Sequence, residues 1–309
     1  MDNARVTPLV ATPRKGFRYF YKHNKGLFYI SLWLVGFLVF KLYPFGSSLY
    51  YSFTDYVLKK NAVVTETGLF NYIDFFTNRV TMNAFWVTFK YTLLTVPLKL
   101  VFALFIAYIL SFRIKGMGAF RTAYYVPSIL GGSVAVAVLW TALFQKNGII
   151  NTLLGTLGIA GPSWLGNGNL ALLTISLLRI WQFGSSMVIF LAALKIIPRD
   201  LYEAASVDGA GRWRQFFRVT IPLITPSIFY NLVTQLVQAF QEFNGPYIIT
   251  QGGPNQATTL ISLLIYNQAF RKFNMGMASA MAWVMFIVVG ILSAAAFISQ
   301  KHWVYYSDK

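Results

Sequence analysis

The sequence predicts an all-α membrane protein with six transmembrane helices, on three observations. First, only 11% of its 309 residues are charged and 56% are hydrophobic, with a mean hydropathy of +0.55. A soluble domain of this size carries more charge. Second, apolar runs long enough to cross a bilayer recur along the chain. Third, the basic residues behind the net charge of +17 sit in short stretches between those runs. That distribution is the pattern of membrane topology, not of a nucleic-acid-binding patch.

A helix needs about 20 apolar residues to cross the hydrocarbon. Six segments meet that length: 27–53, 85–110, 122–144, 170–194, 224–244 and 278–298. The first two are interrupted by Lys41, Lys90, Lys99 and Pro97. The first also follows a basic stretch, as a signal sequence would. That stretch is too long, the apolar run exceeds a signal core, and no small-residue cleavage site follows, so it reads as a retained span. The expected organisation is a basic tail over 1–26, one membrane domain over 27–298 and a short tail over 299–309. Within the membrane domain, a charged loop occupies 195–223. Residues 151–169 are rich in Gly, Asn and Thr, and 250–255 read TQGGPN, a turn-forming cluster.

Orientation follows from Lys and Arg. One side receives Arg5, Arg14, Lys15, Arg18, Lys22 and Lys25 before span one, and Arg113, Lys115 and Arg121 after span two. It also receives Lys195, Arg199, Arg212, Arg214 and Arg218 after span four, and Lys301 and Lys309 at the end. The other side receives Lys59, Lys60, Arg79, Lys146, Arg271 and Lys272. The excess predicts that both termini and the 195–223 loop are cytoplasmic.

Several chemistries are excluded. Without cysteine there is no disulfide, thiolate metal site or cysteine nucleophile. His23 and His302 lie in the tails, so no histidine works at membrane depth. An intramembrane enzyme needs a nucleophile and base or clustered ligands, and the spans hold no such cluster. No G-x-x-x-x-G-K-[ST] occurs, so ATP binding by this chain is not expected.

Residues 203–222, EAASVDGAGRWRQFFRVTIP, concentrate five charges in this sparsely charged chain. Pro198 suits the first turn of a helix, and Asp200 and Glu203 then lie near its positive end. Ala204, Ala205 and Gly209 leave one helix face nearly bare. Gly209 and Gly211 permit a change of direction. Trp213, Phe216, Phe217 and Thr220 then fall on one face of a second helix, with Arg214 and Arg218 on another. Such a basic amphipathic helix also suits a lipid surface, but lipid anchoring requires neither the small residues nor the carboxylates of the elbow.

This stretch resembles the EAA motif of bacterial ABC importer permeases: Glu203, Ala204, Ala205, Asp208, Gly209, Ala210, Phe216, Ile221, Pro222 and Pro226 match it in type and spacing. YPFGSSLYYSFTDY, VPSILGGSVAVAVLW, WQFGSSMVIFLAAL, TQGGPNQATTL and FNMGMASAMAW are similar to the carbohydrate-uptake branch, the first-type permease of maltose, lactose and multiple-sugar importers. The chain lacks the extra N-terminal spans and large periplasmic insertion of the maltose prototype.

The resemblance implies the type I importer permease fold, called MetI-like. It implies that Glu203, Ala204, Ala205, Asp208, Gly209, Ala210, Arg212 and Phe216 form a coupling helix docking on an ATPase. It further implies a second homologous permease, two ABC ATPase subunits that use ATP and Mg, an extracytoplasmic solute-binding protein and an oligosaccharide substrate. No cofactor is expected on this chain. A sugar site is expected midway through the membrane, with Arg179, Trp181, Gln182, Gln241, Glu242 and Asn244 as candidates. Gly252, Gly253 and Pro254 are expected to meet the binding protein.

Polar groups within spans mark function or pairing. Lys90 lies near the outer end of span two and can snorkel. Lys99 is deeper and needs a partner on another helix or on the second permease. Arg179 and Glu242 can pair with each other. Lys41, Lys90, Lys99 and Arg179 face the single carboxylate of Glu242 within these spans, a surplus that suits an anionic, uronic-acid-containing sugar. The rival reading, an ion-coupled secondary transporter or channel, shares the spans and buried charges but has no use for the EAA elbow.

Overall fold

The computed structural model describes residues 25–58, 64–112 and 116–306. Arg5, Arg14, Lys15, Arg18, Lys22, His23, Lys59, Lys60, Arg113, Lys115 and Lys309, with most of the 1–26 tail, lie outside the described residues. The chain divides after Tyr50 into two compact units.

In the N-terminal unit, α1 (Lys25–Phe37) continues through a π-helical turn (Leu38–Leu42) into α2 (Tyr43–Ser52). Together they make a candidate span over Tyr29–Ser52. Leu32, Trp33 and Phe40 are exposed on it, as lipid contact requires, and so is Lys41.

The second unit opens with α3 (Phe70–Thr77), α4 (Arg79–Ser111), α5 (Met117–Leu130), α6 (Val134–Phe144) and α7 (Ile149–Thr156). It continues with α8 (Gly168–Trp181), α9 (Gly184–Ile196) and α10 (Arg199–Val207). Next come α11 (Arg212–Leu223, with a π-helical turn at Phe216–Thr220) and α12 (Thr225–Phe240). A π-helical turn (Pro246–Thr250), α13 (Ile261–Tyr266) and α14 (Met275–Trp303) complete it. Among the described residues, β structure is limited to the isolated bridges Thr54–Thr67 and Val57–Asn274.

Among the described residues, three helices are long and apolar enough to cross a membrane, and up to six spans result if each of three bent pairs counts as one. The expected segments 122–144 and 170–194 fall on the first two bent pairs, while 224–244 covers only the second helix, α12, of the third, whose first helix, α11, lies in the expected 195–223 loop. α5 meets the helical stretch that follows it at 99°, α8 meets α9 at 44°, and α11 meets α12 at 66°.

Each break has a local cause. At the first, Gly131 and Gly132 end α5 and the Ser133 hydroxyl caps α6 by accepting from Val136 N at 3.3 Å. A Cβ on Gly131 would collide with the Gln182 side chain. At the second, Gly184 lets α9 approach α5 so closely that a Cβ there would lie 2.5 Å from the Tyr124 carbonyl oxygen. At the third, Ile224 separates the two helices and Pro226 sits in the first turn of α12, where its missing N–H costs nothing. Pro97, by contrast, leaves α4 unbroken from Arg79 to Ser111.

α4 is the axis of the core. Its buried side chains recur every three to four residues, including Tyr91, Thr95, Lys99, Ala103, Ala107 and Leu110. That stripe packs against α8, α9 and α12. Ala103 and Ala107 are fully buried, and such small side chains let membrane helices pack at close range where lipid gives no hydrophobic drive. A second cluster joins Phe75, Ala84, Ile261, Leu264, Met277, Met281 and Val284, tying α3, α4, α13 and the start of α14 together.

The close approach at Gly184 makes a prediction. Gly184→Val should cost about 1–3 kcal/mol by overpacking α9 against α5 and lower the thermal unfolding midpoint in detergent. Gly290→Val, at a position open on α14, should leave it nearly unchanged.

Candidate functional site

Two sites emerge at different depths. The first is the elbow between α10 and α11. Ala210 N donates to Ala205 O at 2.9 Å and Gly209 N to Ser206 O at 3.0 Å, while Gly209 has φ +74°. This is a Schellman C-cap, in which the residue after the cap takes a left-handed conformation that glycine adopts without strain. Ala205, Gly209 and Ala210 thus shape the turn through their backbone. Gly211, at φ −66°, needs no such freedom and is the N-cap of α11. Gln215 locks the elbow: its Nε2 donates to Ser206 Oγ at 2.9 Å and to Ala210 O at 2.8 Å.

The elbow's inner side faces the spans. Phe216 packs edge-on against Tyr108 of α4 with ring centroids 4.7 Å apart, and the Tyr202 and Thr220 hydroxyls are 2.9 Å apart. The expected shared face of Trp213, Phe216, Phe217 and Thr220 is not formed. The π-helical turn at Phe216–Thr220 shifts the helical phase, so Thr220 is buried and Phe216 half-buried, while Trp213 and Phe217 stack outward. Trp213 is 77% exposed, Val207 88% and Phe217 61%, an apolar crest left uncovered along the elbow. Glu203, Ala204 and Asp208 are exposed beside it, and Arg212 lies at the elbow's base. Among the described residues Glu203 has no ion pair.

The second site is a polar knot at the breaks of the bent spans. Arg179 of α8 is its hub. Nη1 donates to Gln182 Oε1 at 3.2 Å, Nη2 donates to Gln238 Oε1 at 2.6 Å, and Nε lies 3.8 Å from Glu242 Oε2. This ion pair is the only one among the described residues. Gln182 Nε2 donates to Gly131 O at 2.9 Å, and Asn244 Nδ2 to Gly132 O at 3.2 Å. Glu242 Oε1 accepts from Gly245 N at 3.1 Å.

Arg179, Gln182, Glu242 and Asn244 line a cavity of about 50 Å³ with Gly131 and Gly132, room for water but not for a sugar. A more open cavity of about 240 Å³ adjoins it, lined by Arg179, Gln238, Gln241, Glu242, Phe243 and Asn244. Trp181 lines neither; it tilts against Trp140 at 5.8 Å. Lys99 is buried, and its Nζ donates to Gln235 Oε1 at 2.7 Å, so its partner is a neutral amide on α12. Lys90 is exposed near the start of α4, where it can snorkel.

The loop after α12 folds back on itself. Thr258 Oγ1 donates to Gly253 O at 2.7 Å, and Thr259 Oγ1 to Gly252 O at 3.0 Å. Gly252 is buried, at φ +85°, and Gly253 and Pro254 are half-buried; Gln251, Asn255 and Gln256 form the exposed rim. Between this loop and the knot lies an aromatic cluster. Phe243 stacks on Tyr247 at 4.9 Å, and Tyr266 meets both at 5.0 and 5.2 Å.

The family model for binding-protein-dependent transport system inner membrane components matches residues 76–304. The chain belongs to that family. It is 48% identical to the probable ABC transporter permease protein YesP of Bacillus subtilis, over 92% of this chain and 93% of that one. It is 35% identical to the sulfoquinovosyl glycerol transport system permease protein SmoG of Agrobacterium fabrum, over 79% and 80%. The fold matches a crystal structure of a bacterial ABC transporter involved in import of the acidic polysaccharide alginate. That match has a TM-score of 0.76 and 22% identity and covers 91% of this chain and 97% of that one.

Within this family member, sequence reasoning singled out the elbow and the knot but missed three contributors. Gln215 is one polar residue among several in its stretch, and its clamp depends on the turn it closes. Gly131 and Gly132 were visible as a pair, yet only the bend reveals their carbonyls as acceptors. Tyr247 and Tyr266 lie on separate elements, so their cluster has no periodic signal.

The knot predicts strong coupling. In a double-mutant cycle of Arg179→Gln and Glu242→Gln, read by thermal unfolding in detergent, the interaction energy should be about 1–3 kcal/mol. The double variant should be more stable than the sum of the two single losses implies, because each single change leaves an uncompensated charge.

Proposed function

We propose that this chain is one permease subunit of an ATP-driven, binding-protein-dependent sugar importer, forming half of the translocation pathway. The observation that carries the reading is the elbow: a self-capped turn bearing the EAA residues, with an exposed apolar crest at Val207, Trp213 and Phe217. A turn held by its own hydrogen bonds and topped by uncovered aromatics is suited to enter a groove on a cytoplasmic ATPase. Glu203, Ala204, Ala205, Asp208, Gly209, Ala210, Arg212 and Phe216 form or support that contact. ATP and Mg act on the ATPase subunits, and this chain performs no catalysis.

The remaining assembly is a second homologous permease and an extracytoplasmic binding protein. The binding protein seats on the rim around Gly252, Gly253 and Pro254, with Asn255 and Gln256 foremost. ATP and loaded binding protein favour the same outward-facing state, and only such differential affinity can shift the conformational equilibrium. Sugar passes beside the knot, where Arg179, Gln182, Gln241, Glu242 and Asn244 supply hydrogen bonds and the Phe243–Tyr247–Tyr266 cluster supplies ring faces. Polar groups next to aromatic walls are the usual equipment of such sites. An oligosaccharide is the favoured cargo, with uronic-acid units as its charged variant; substrates named for similar proteins include sn-glycerol-3-phosphate, the acidic polysaccharide alginate and starch degradation products.

The test is purification from the native membrane with identification of copurifying proteins by mass spectrometry. An ATPase with a phosphate-binding loop, a second permease and a binding protein are expected. Gly209→Val forces a β-branched residue into a left-handed backbone and should abolish ATP-driven uptake while leaving the chain in the membrane. Glu203→Ala should weaken ATPase retention. A chain that emerges alone, or uptake at the wild-type rate in Gly209→Val, would replace this reading with ion-coupled transport.

Topology has its own measurement, since the chain has no native cysteine. A membrane-impermeant maleimide added to intact cells should label Asn255→Cys and not Ser206→Cys. The reverse pattern would invert the proposed cytoplasmic placement of the elbow and both termini.

A further inference from the structure

Behind the elbow lies a cavity of about 560 Å³, within the size range of small-molecule sites. It is bounded by the C-terminal ends of α4 and α9 and by α10 and α11. Its apolar surface comes from Tyr108, Phe112, Leu194, Ile197 and Phe216. Its polar groups fall into two sets. Ser111, Tyr202, Thr220 and Gln215 hydrogen-bond within the protein, Ser111 to Tyr108 O, Tyr202 with Thr220, and Gln215 to Ser206 and Ala210. Lys195, Arg199 and Arg212 have no ion pair among the described residues and are exposed. Asp200, Glu203 and Asp208 are on or beside α10, yet no carboxylate lines the cavity.

We propose that this cavity is a site for the headgroup of an anionic phospholipid of the cytoplasmic leaflet, its phosphate held by Lys195, Arg199 and Arg212. Three arguments select this occupant. The cavity opens where two spans end, the depth at which headgroups lie. Its charge is of one sign and complements a phosphate; guanidinium groups bind phosphate oxygens in pairs. Its aromatic and aliphatic floor suits the glycerol and first methylenes of a lipid better than a soluble anion. Basic pockets between helices on the cytoplasmic side are a general form of lipid-headgroup recognition. The site rests on the cytoplasmic placement of the elbow proposed above. Because Phe216 and Arg212 belong both to the cavity and to the elbow, a bound headgroup would brace the turn on which the ATPase acts.

The experiment uses the full-length chain, purified with whatever partners accompany it, in nanodiscs of equal parts phosphatidylcholine and phosphatidylglycerol. Lipids retained after gentle detergent transfer are counted by native mass spectrometry. Wild type should retain phosphatidylglycerol in preference to phosphatidylcholine. Lys195→Gln with Arg199→Gln should cut that retention about tenfold, each cation near an anionic surface contributing several-fold. Lys301→Gln, which removes a cytoplasmic-side charge outside the cavity, should not. No preference in wild type, or equal loss in Lys301→Gln, overturns the site and leaves only diffuse attraction to basic loops. A soluble source is separated by adding inorganic phosphate: displacement of the lipid at millimolar phosphate would overturn the headgroup assignment. ATPase copurification in the same wild-type preparation reports on the permease reading separately. A retained ATPase without lipid preference sinks this inference alone. Lipid preference without an ATPase sinks the other.

Discussion

The arginine of α8 is the constraint on which the interior depends. A guanidinium cannot be left bare at membrane depth, and Arg179 must find acceptors wherever it is placed. It finds them on three segments at once: Gln182 at the break between α8 and α9, Gln238 on α12, and Glu242 beyond the end of α12. Those acceptors are themselves committed. Gln182 reaches Gly131 at the break of the preceding bent span, and Glu242 accepts from Gly245. Helix interruptions free backbone carbonyls and amides that lipid cannot satisfy. Here the freed Gly131 and Gly132 carbonyls take bonds from Gln182 and Asn244. The breaks and the polar residues therefore require one another.

α4 supplies the complement to this polar knot. It runs unbroken for 33 residues, and the bent spans lean on its small-residue stripe. Two unbroken helices, α4 and α14, beside three interrupted pairs give the unit continuous members and adaptable ones. Lys99 and Gln235 connect the two classes across the buried interface between α4 and α12. A lysine paired with a neutral amide retains its need for a better acceptor, which sets it apart from the neutralised Arg179–Glu242 pair.

Much of this was legible in the sequence, and the divisions follow physical lines. Six apolar segments are a matter of composition, and composition does not depend on fold. The Arg179–Glu242 pairing was foreseeable because few opposite charges exist to choose from. The elbow was legible because its glycine and alanines have backbone reasons that spacing exposes. What escaped was phase and angle. A one-residue π-helical insertion at Phe216–Thr220 left Trp213 and Phe217 facing outward while Thr220 is buried, and no hydrophobic period announces such an insertion. The bends at Gly131 and Gln182 escaped as well, since an apolar run looks the same whether the helix within it is straight or broken. The aromatic faces of Phe243, Tyr247 and Tyr266 meet only after α13 folds back, so they left no trace at short range.

The Schellman cap and the Gln215 clamp have a consequence for how such a chain can diverge. The two Schellman bonds and both bonds of the Gln215 clamp begin and end within residues 205–215. The cap and the clamp therefore draw no hydrogen bond from the spans beneath them. Under the docking proposed above, spans can drift to suit a new cargo without disturbing the elbow's outer surface, provided that Tyr108 or a similar ring remains to seat Phe216. An ATPase that fits one such turn would then fit others carrying the same few residues. One drive unit serving several differently selective pathways is the economy that this proposed modularity permits.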